Sequence, residues 1–385
     1  MADSITTIVT ALGFPSIESF IGVLLLGGAI IGAIVVIATI RPILDLFPFA
    51  YPNARVRARI GRLINEKQLS EILETESMEE FKNYLRGLPD YAGYVDRFPI
   101  EKALESQLAE TYETVSKIAP ASIRDPFRAN LRKWDIRNIK SLITAKDAGL
   151  SAEETVNLIV PAGEIYEVIE GLVDASSVQE VVTGLEGTEY AEVLEDALSQ
   201  YQETGMLLPI EAALDRKFLE DLIRSVGSPS DDNTKILHSY FGTQVDVANL
   251  RMILRAKADG LSYDDISPYI VPQGYQLREW KLKDLMEAED VSGVISGLEG
   301  TDYGQILSEA LSEYTSTGSV AVFERVLEDN LNRMARNFAL KKPFGVGPMI
   351  GFLSRKETEV RNLKVIARSK REPGFPESMV KEMLV

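Results

Sequence analysis

Asp135-Ile-Arg-Asn-Ile-Lys-Ser-Leu-Ile-Thr-Ala-Lys146 returns without internal gaps as Asp246-Val-Ala-Asn-Leu-Arg-Met-Ile-Leu-Arg-Ala-Lys257 and as Glu359-Val-Arg-Asn-Leu-Lys-Val-Ile-Ala-Arg-Ser-Lys370. The offsets are 111 and 113 residues. In the first copy Ile136, Ile139, Leu142 and Ile143 share one face of a helix, an apolar stripe of the kind that buries in a bundle. The acid stands in the amino-terminal part and the lysine in the last turn, where the helix dipole favours each. Self-similarity at a fixed period marks a chain built from repeated supersecondary units.

The repeat extends beyond these twelve positions. Ala148-Gly149-Leu150-Ser151 matches Asp259-Gly260-Leu261-Ser262, and Val160-Pro161 matches Val271-Pro272. Gly184-Leu-Glu-Gly-Thr-Glu-Tyr190 returns as Gly297-Leu-Glu-Gly-Thr-Asp-Tyr303, with a weaker copy at Gly87-Leu-Pro-Asp-Tyr91. A Glu-x-x-Leu element recurs at Glu101–Leu104, Glu211–Leu214 and Glu324–Leu327. Gly149 suits the reversal after the first helix, and Ser151 with Glu154 has the spacing of a capping box for the next. Apolar spacings of three and four dominate and β-type runs are few, so the fold class is all-α. Tyr91, Tyr190 and Tyr303 are expected to pack in a common core. Asn138, Asn249 and Asn362 either bond to a neighbouring helix or sit at the surface.

Ahead of the repeats, Ser19–Ile40 is an uncharged run of 22 residues. That length crosses a hydrocarbon core of about 30 Å as a helix. A signal peptide opens with basic residues and has a shorter apolar core, whereas here Asp3 and Glu18 lead and Arg41, Arg55, Arg57, Arg59 and Arg62 follow. The positive-inside rule then puts the body of the protein in the cytoplasm. The reading is an uncleaved membrane helix over about 17–40, joined to the body by a connection carrying Arg41-Pro42 and Phe47-Pro48. Gly28-Ala-Ile-Ile-Gly32 has the spacing that permits close helix approach in lipid.

The 385 residues carry a net charge of −17. Five Arg and three acids give residues 1–62 a charge of +2, and twelve basic and five acidic residues give 331–385 a charge of +7. The difference leaves −26 on residues 63–330. Such a body is a poor partner for nucleic acid, whose phosphates need counter-charge. No cysteine and a single histidine, His238, remove disulfides, thiolate metal sites and a Cys nucleophile. No GxxxxGK[ST] loop is present. The glycine-rich stretch Phe344–Phe352 misses the dinucleotide spacing and reads as a tight loop entering a helix. Paired carboxylates such as Asp231-Asp232 and Glu153-Glu154 lie in polar segments, without the contrasting environments that acid/base catalysis needs. Catalytic, metal and cofactor-binding residues are therefore not expected.

Two further segments decide the affiliation. Tyr51-Pro-Asn53-Ala-Arg55-Val-Arg57-Ala, and Pro343-Phe-Gly-Val-Gly-Pro348 through Lys356-Glu-Thr-Glu-Val-Arg361-Asn362-Leu-Lys-Val-Ile-Ala-Arg368, resemble the C subunits of the archaeal A-type ATP synthases, a family related to the d subunits of vacuolar ATPases. The resemblance covers about residues 48–385. It implies a funnel of three similar helical subdomains about a pseudo-threefold axis, here at 48–150, 151–260 and 261–385 with helix exchange across boundaries, preceded by 1–47 with the membrane helix. It implies a non-catalytic central-stalk component at the cytoplasmic face of the membrane, seated on the proteolipid ring and receiving the D and F subunits of the axle. Such a rotor transmits torque between ion transport and ATP synthesis in the A and B subunits, with no small-molecule substrate, nucleic acid or cofactor of its own. The membrane helix is an addition to the usual soluble form. Repeat and signature positions Asn138, Asn249, Asn362, Arg55, Arg361, Gly345 and Gly347 are candidates for shape and contacts. A membrane-anchored helical-repeat scaffold unrelated to rotary machines is the alternative, and it leaves the two signature segments unexplained.

Overall fold

The computed structural model describes residues 9–372, 374 and 377–384. Among them the fold is all-α, and the only β feature is an isolated bridge between Gln273 and Arg278. The chain divides into two compact units, one ending at Ala50 and the other starting at Tyr51.

The first unit contains α1, Ile17–Leu46. Its span Ile17–Ile40 has a mean hydropathy of 2.8, and none of its residues is buried. At about 1.5 Å per residue those 24 residues reach roughly 36 Å, enough for a bilayer core. The helix does not end near Arg41-Pro42, where the sequence places a connection: it continues to Leu46, and a 3-10 turn, Phe47–Phe49, follows. A proline removes one amide from the helical ladder and can be carried through an apolar helix.

The second unit is organised by six long helices: α2 (Ile100–Ile118), α3 (Arg124–Asp147), α4 (Leu208–Val226), α5 (Asp232–Ala258), α6 (Ala321–Lys341) and α7 (Gly347–Arg371). Each packs on the next, and α7 packs back on α2, so the contacts form a closed cycle. The two kinds of repeat alternate around it. Helices α3, α5 and α7 carry the twelve-residue unit, while α2, α4 and α6 begin with the Glu-x-x-Leu element. Leu104, Leu214 and Leu327 of that element are all fully buried. Burial of each contributes about 1.5–3 kcal/mol.

Short helices fill the spaces between these long ones, and their ends are set by local residues. Ser151 with Glu154 and Ser262 with Asp265 form reciprocal capping boxes. Each follows a glycine at positive φ, Gly149 at 71° and Gly260 at 74°, a conformation that costs a side-chain-bearing residue energy. One hydrophobic core runs from Ile136 to Leu214 and a second from Val247 to Leu327. The first passes residue 150 and the second passes residue 260. Each unit helix therefore packs with the residues that follow it.

Candidate functional site

The first residue of each twelve-residue unit is a buried acid that binds a loop. Asp135 on α3 accepts hydrogen bonds from the amides of Glu164 and Ile165, both at 3.1 Å, and from the Tyr190 hydroxyl at 3.3 Å. Asp246 on α5 accepts from the amides of Gln276 at 2.7 Å and Leu277 at 3.3 Å, and from the Tyr303 hydroxyl at 2.9 Å. The loops reach the acids because glycine leaves room. A Cβ at Gly163 would lie 2.1 Å from Asp135 Oδ1, and one at Gly274 would lie 1.7 Å from Asp246 Oδ1.

The third clamp has the same plan with different parts. Glu359 on α7 accepts from the Ile64 amide at 2.6 Å and from the Tyr91 hydroxyl at 2.5 Å, so its loop and tyrosine come from the other end of the chain. Lys356, almost fully buried, donates to Glu359 at 2.6 Å and to the Tyr91 oxygen at 3.0 Å. The longer acid and the added lysine replace the short carboxylate of the other two clamps.

Burial pushes the Asp135 and Asp246 carboxyls above the usual carboxylate range, against the opposing pull of their amide and tyrosine donors. The same burial, with the acid beside each, drives the Tyr190, Tyr303 and Tyr91 hydroxyls upward. Each clamp is thus a fixed hydrogen-bonded post.

One turn further along, the asparagines fasten the same loops. Asn138 donates to the Val160 and Ala162 carbonyls at 2.8 and 3.0 Å and accepts from the Val160 amide at 2.8 Å. Asn249 donates to the Val271 carbonyl at 2.7 Å and accepts from its amide at 3.0 Å. Asn362 is also buried, and it borders a cavity beside Glu359. All three asparagines therefore lie in the interior, and the first two bond to loops, between the alternatives that their sequence leaves open.

A second recurring contact joins neighbouring long helices. Position six of the unit pairs with the acid four residues after the repeated glutamate: Lys140 with Asp215 at 2.8 Å, Arg251 with Glu328 at 3.3 Å, and Lys364 with Glu105. Arg137 of α3 also reaches Glu105, at 2.7 Å, and Arg361 of α7 also reaches Glu328. Burial and the charge of Arg251 lower the Arg361 pKa. Sequence reasoning missed these pairs, although the aligned rows carry the signal: a basic residue at position six in all three copies and an acid after each Glu-x-x-Leu.

The two signature segments meet. Asn53 donates to the Gly345 carbonyl at 3.1 Å, Arg57 donates to the Pro343 carbonyl at 2.8 Å, and the Arg57 guanidinium lies 5.7 Å from the centre of the Phe344 ring. Gly347 opens α7 so close to α6 that a Cβ would lie 2.2 Å from the Phe338 carbonyl oxygen. A Cβ on Gly345 would lie 2.3 Å from Asn233 Oδ1. Arg55 is exposed. Among the described residues no group of three or more His, Asp or Glu side chains is arranged to hold a metal.

The profile of the ATP synthase (C/AC39) subunit family matches residues 52–383, all but a few residues of the second unit and none of α1. The A-type ATP synthase C subunit of Methanothermobacter thermautotrophicus is 91% identical over 384 residues and covers 100% of both chains. That of Methanobrevibacter smithii is 55% identical over 385 residues, again over 100% of both. That of Methanocaldococcus jannaschii is 41% identical over 354 residues, covering 90% of this chain and 88% of its own.

Proposed function

The chain belongs to the ATP synthase (C/AC39) subunit family, and on that premise we propose that it is the non-catalytic rotor component between the membrane proteolipid ring and the central axle. In this reading it receives the D and F subunits of the axle and transmits torque between ion translocation and the A and B subunits, at the cytoplasmic face of the membrane. The observation that carries the reading is the pairing of a family match starting at residue 52 with a separate, unburied apolar helix ahead of it.

A torque-bearing part must hold its shape, and the clamps support that role. Three buried acids, each tied to one or two backbone amides and a tyrosine, lock the loops to the long helices, and ion pairs lock those helices to one another. On this reading the body comprises three units, each a long helix bearing the twelve-residue repeat with the loop and tyrosine it clamps. The unit of α7 takes its parts from residues 64–118. Asn138, Asn249, Asn362 and Arg361 hold these units together, Gly345 and Gly347 join α6 to α7, and exposed Arg55 is left for a partner surface.

In the same reading α1 enters the central opening of the ring and fixes the body to the rotor. A helix in bulk lipid beside the machine would drag through lipid as the rotor turned. Removing residues 1–47 and measuring retention on isolated proteolipid rings tests this. Retention is expected to fall sharply, and unchanged retention together with unchanged ATP-driven ion transport overturns it.

A further inference from the structure

A polar cavity of about 400 Å³ opens among Arg59, Arg62, Asp90, Tyr94, Arg97, Gln107 and Glu110, in the stretch of chain that follows the membrane helix. That volume is within the range of small-ligand sites. Three arginines line it, on a chain whose net charge is −17.

The carboxylates at its edge are already committed. Asp90 lies 3.8 Å from Arg62 and 3.7 Å from the buried Lys356, while Glu110 accepts the Tyr94 hydroxyl at 2.5 Å. Arg59, half-buried, and Arg97, exposed and lying over the Phe98 ring at 5.4 Å, have no carboxylate partner among the described residues. Three arginines against Asp90 and Glu110 leave the lining one charge positive, and the guanidinium fork suits the oxygens of a phosphate.

A second observation sets what else the ligand carries. Gln107 is only 2% exposed. Its Nε2 donates to the Thr111 hydroxyl at 3.2 Å, but its Oε1 is buried without a hydrogen-bond partner among the described residues. A buried acceptor left unmade costs more than a made bond contributes, so a turn of the Gln107 amide toward the cavity it lines, with a ligand hydroxyl donating to Oε1, would be favoured.

We propose that this cavity binds a phosphate ester carrying a neighbouring hydroxyl, with the phosphate on Arg59 and Arg97 and the hydroxyl on Gln107. Two sources share that chemistry: the glycerol-phosphate headgroup of an anionic lipid, and a free polyol phosphate. The site adjoins the third clamp where Asp90 approaches Lys356, and it does not depend on the rotor assignment.

The test uses the full chain in neutral detergent micelles, titrated calorimetrically with glycerol 1-phosphate, with methyl phosphate, and with phosphatidylglycerol mixed into the micelles. Saturable binding is expected, weakened about tenfold or more by Arg59→Gln and by Arg97→Gln, each of which removes one charge-assisted contact. Glycerol 1-phosphate should bind more tightly than methyl phosphate, and Gln107→Leu should erase that preference while leaving methyl phosphate binding unchanged. Binding of the free ester identifies a soluble ligand, and binding only of the micelle-borne lipid identifies a headgroup. Absence of saturable binding by either source, or binding unaltered in both arginine variants, overturns the proposal. Circular dichroism of each variant checks that its helices remain, and exposed Arg97 supplies the variant least prone to disturb the fold.

Discussion

Tyr303 carries two roles that differ in how visible they are in a sequence. Its place in a repeated Gly-Leu element marks it as a core residue, and its ring is 1% exposed. Its hydroxyl, which reaches Asp246 at 2.9 Å, leaves no trace in the local pattern because the acid lies 57 residues away. Burial holds the Asp246 carboxyl above its ordinary value and the tyrosine donor pulls it back down. Tyr303→Phe should therefore raise that carboxyl further and cost about 1.5–3 kcal/mol, the worth of a hydrogen bond to a charged group. The direction with pH follows. A carboxyl whose pKa is higher folded than unfolded binds more protons in the fold, so its contribution is best below the unfolded value and is lost as pH rises through the folded one. The hydroxyl matters most to the ionised form. Urea denaturation of Tyr303→Phe against the unaltered chain should show a larger loss at pH 7 than at pH 4, and an equal loss at both removes the ionised Asp246 from the account.

Between elements, the three ion pairs at position six occupy equivalent places but differ in exposure, which sets how much each is worth. The Glu105 side chain is 8% exposed and holds both Arg137 of α3 and Lys364 of α7. The Asp215 side chain is 55% exposed and pairs with Lys140. Neutralising an acid inside such a network strands its cations, whereas an exposed pair is screened by water. Glu105→Gln is expected to cost about 2–3 kcal/mol, moderated from the fully buried case because Arg137 and Lys364 are about a third exposed. Asp215→Asn should cost under about 1 kcal/mol. Chemical denaturation of both variants checks the order, and equal costs would show that exposure does not govern these pairs. The element pattern is legible because period and capping are local: the helices of the twelve-residue repeat, the reversals at Gly149 and Gly260, and the boxes at Ser151 and Ser262 all stand in the sequence. The continuation of α1 past Pro42 is not legible, since proline signals a break that an apolar helix can absorb.

Over the whole molecule, the sequence presents three units in a row and the fold joins the row end to end. The missing information is which helix pairs with the amino-terminal Gly-Leu copy. Tyr91 stands ahead of the first twelve-residue unit, yet its hydroxyl serves Glu359 of the last one, 268 residues later. The same closure is made by Lys370, which donates to the Leu73 carbonyl at 2.7 Å, by Arg371 against Glu101 at 2.6 Å, and by Lys133 of α3, which donates to Glu357 of α7 at 2.6 Å. Shape-bearing contacts thus depend on sequence separations that no local pattern encodes, and their loop-closure cost is met only when the cycle completes. Two truncations separate this arrangement from a simple row of independent repeats. Removing residues 1–47 takes away α1 and leaves α2–α7 intact, so the thermal midpoint of the body should stay within a few degrees. Removing residues 1–118 takes only one further stretch from the amino end, but strips α7 of α2, of Tyr91 and of the Ile64 amide, and leaves Glu359 and Lys356 with only each other. In a row of independent repeats that loss would spare the distant carboxyl-terminal helix. In the closed cycle α7 should be the element that fails, with fast amide hydrogen exchange over 347–371 while 136–214 stays protected; continued protection of α7 would refute the closure.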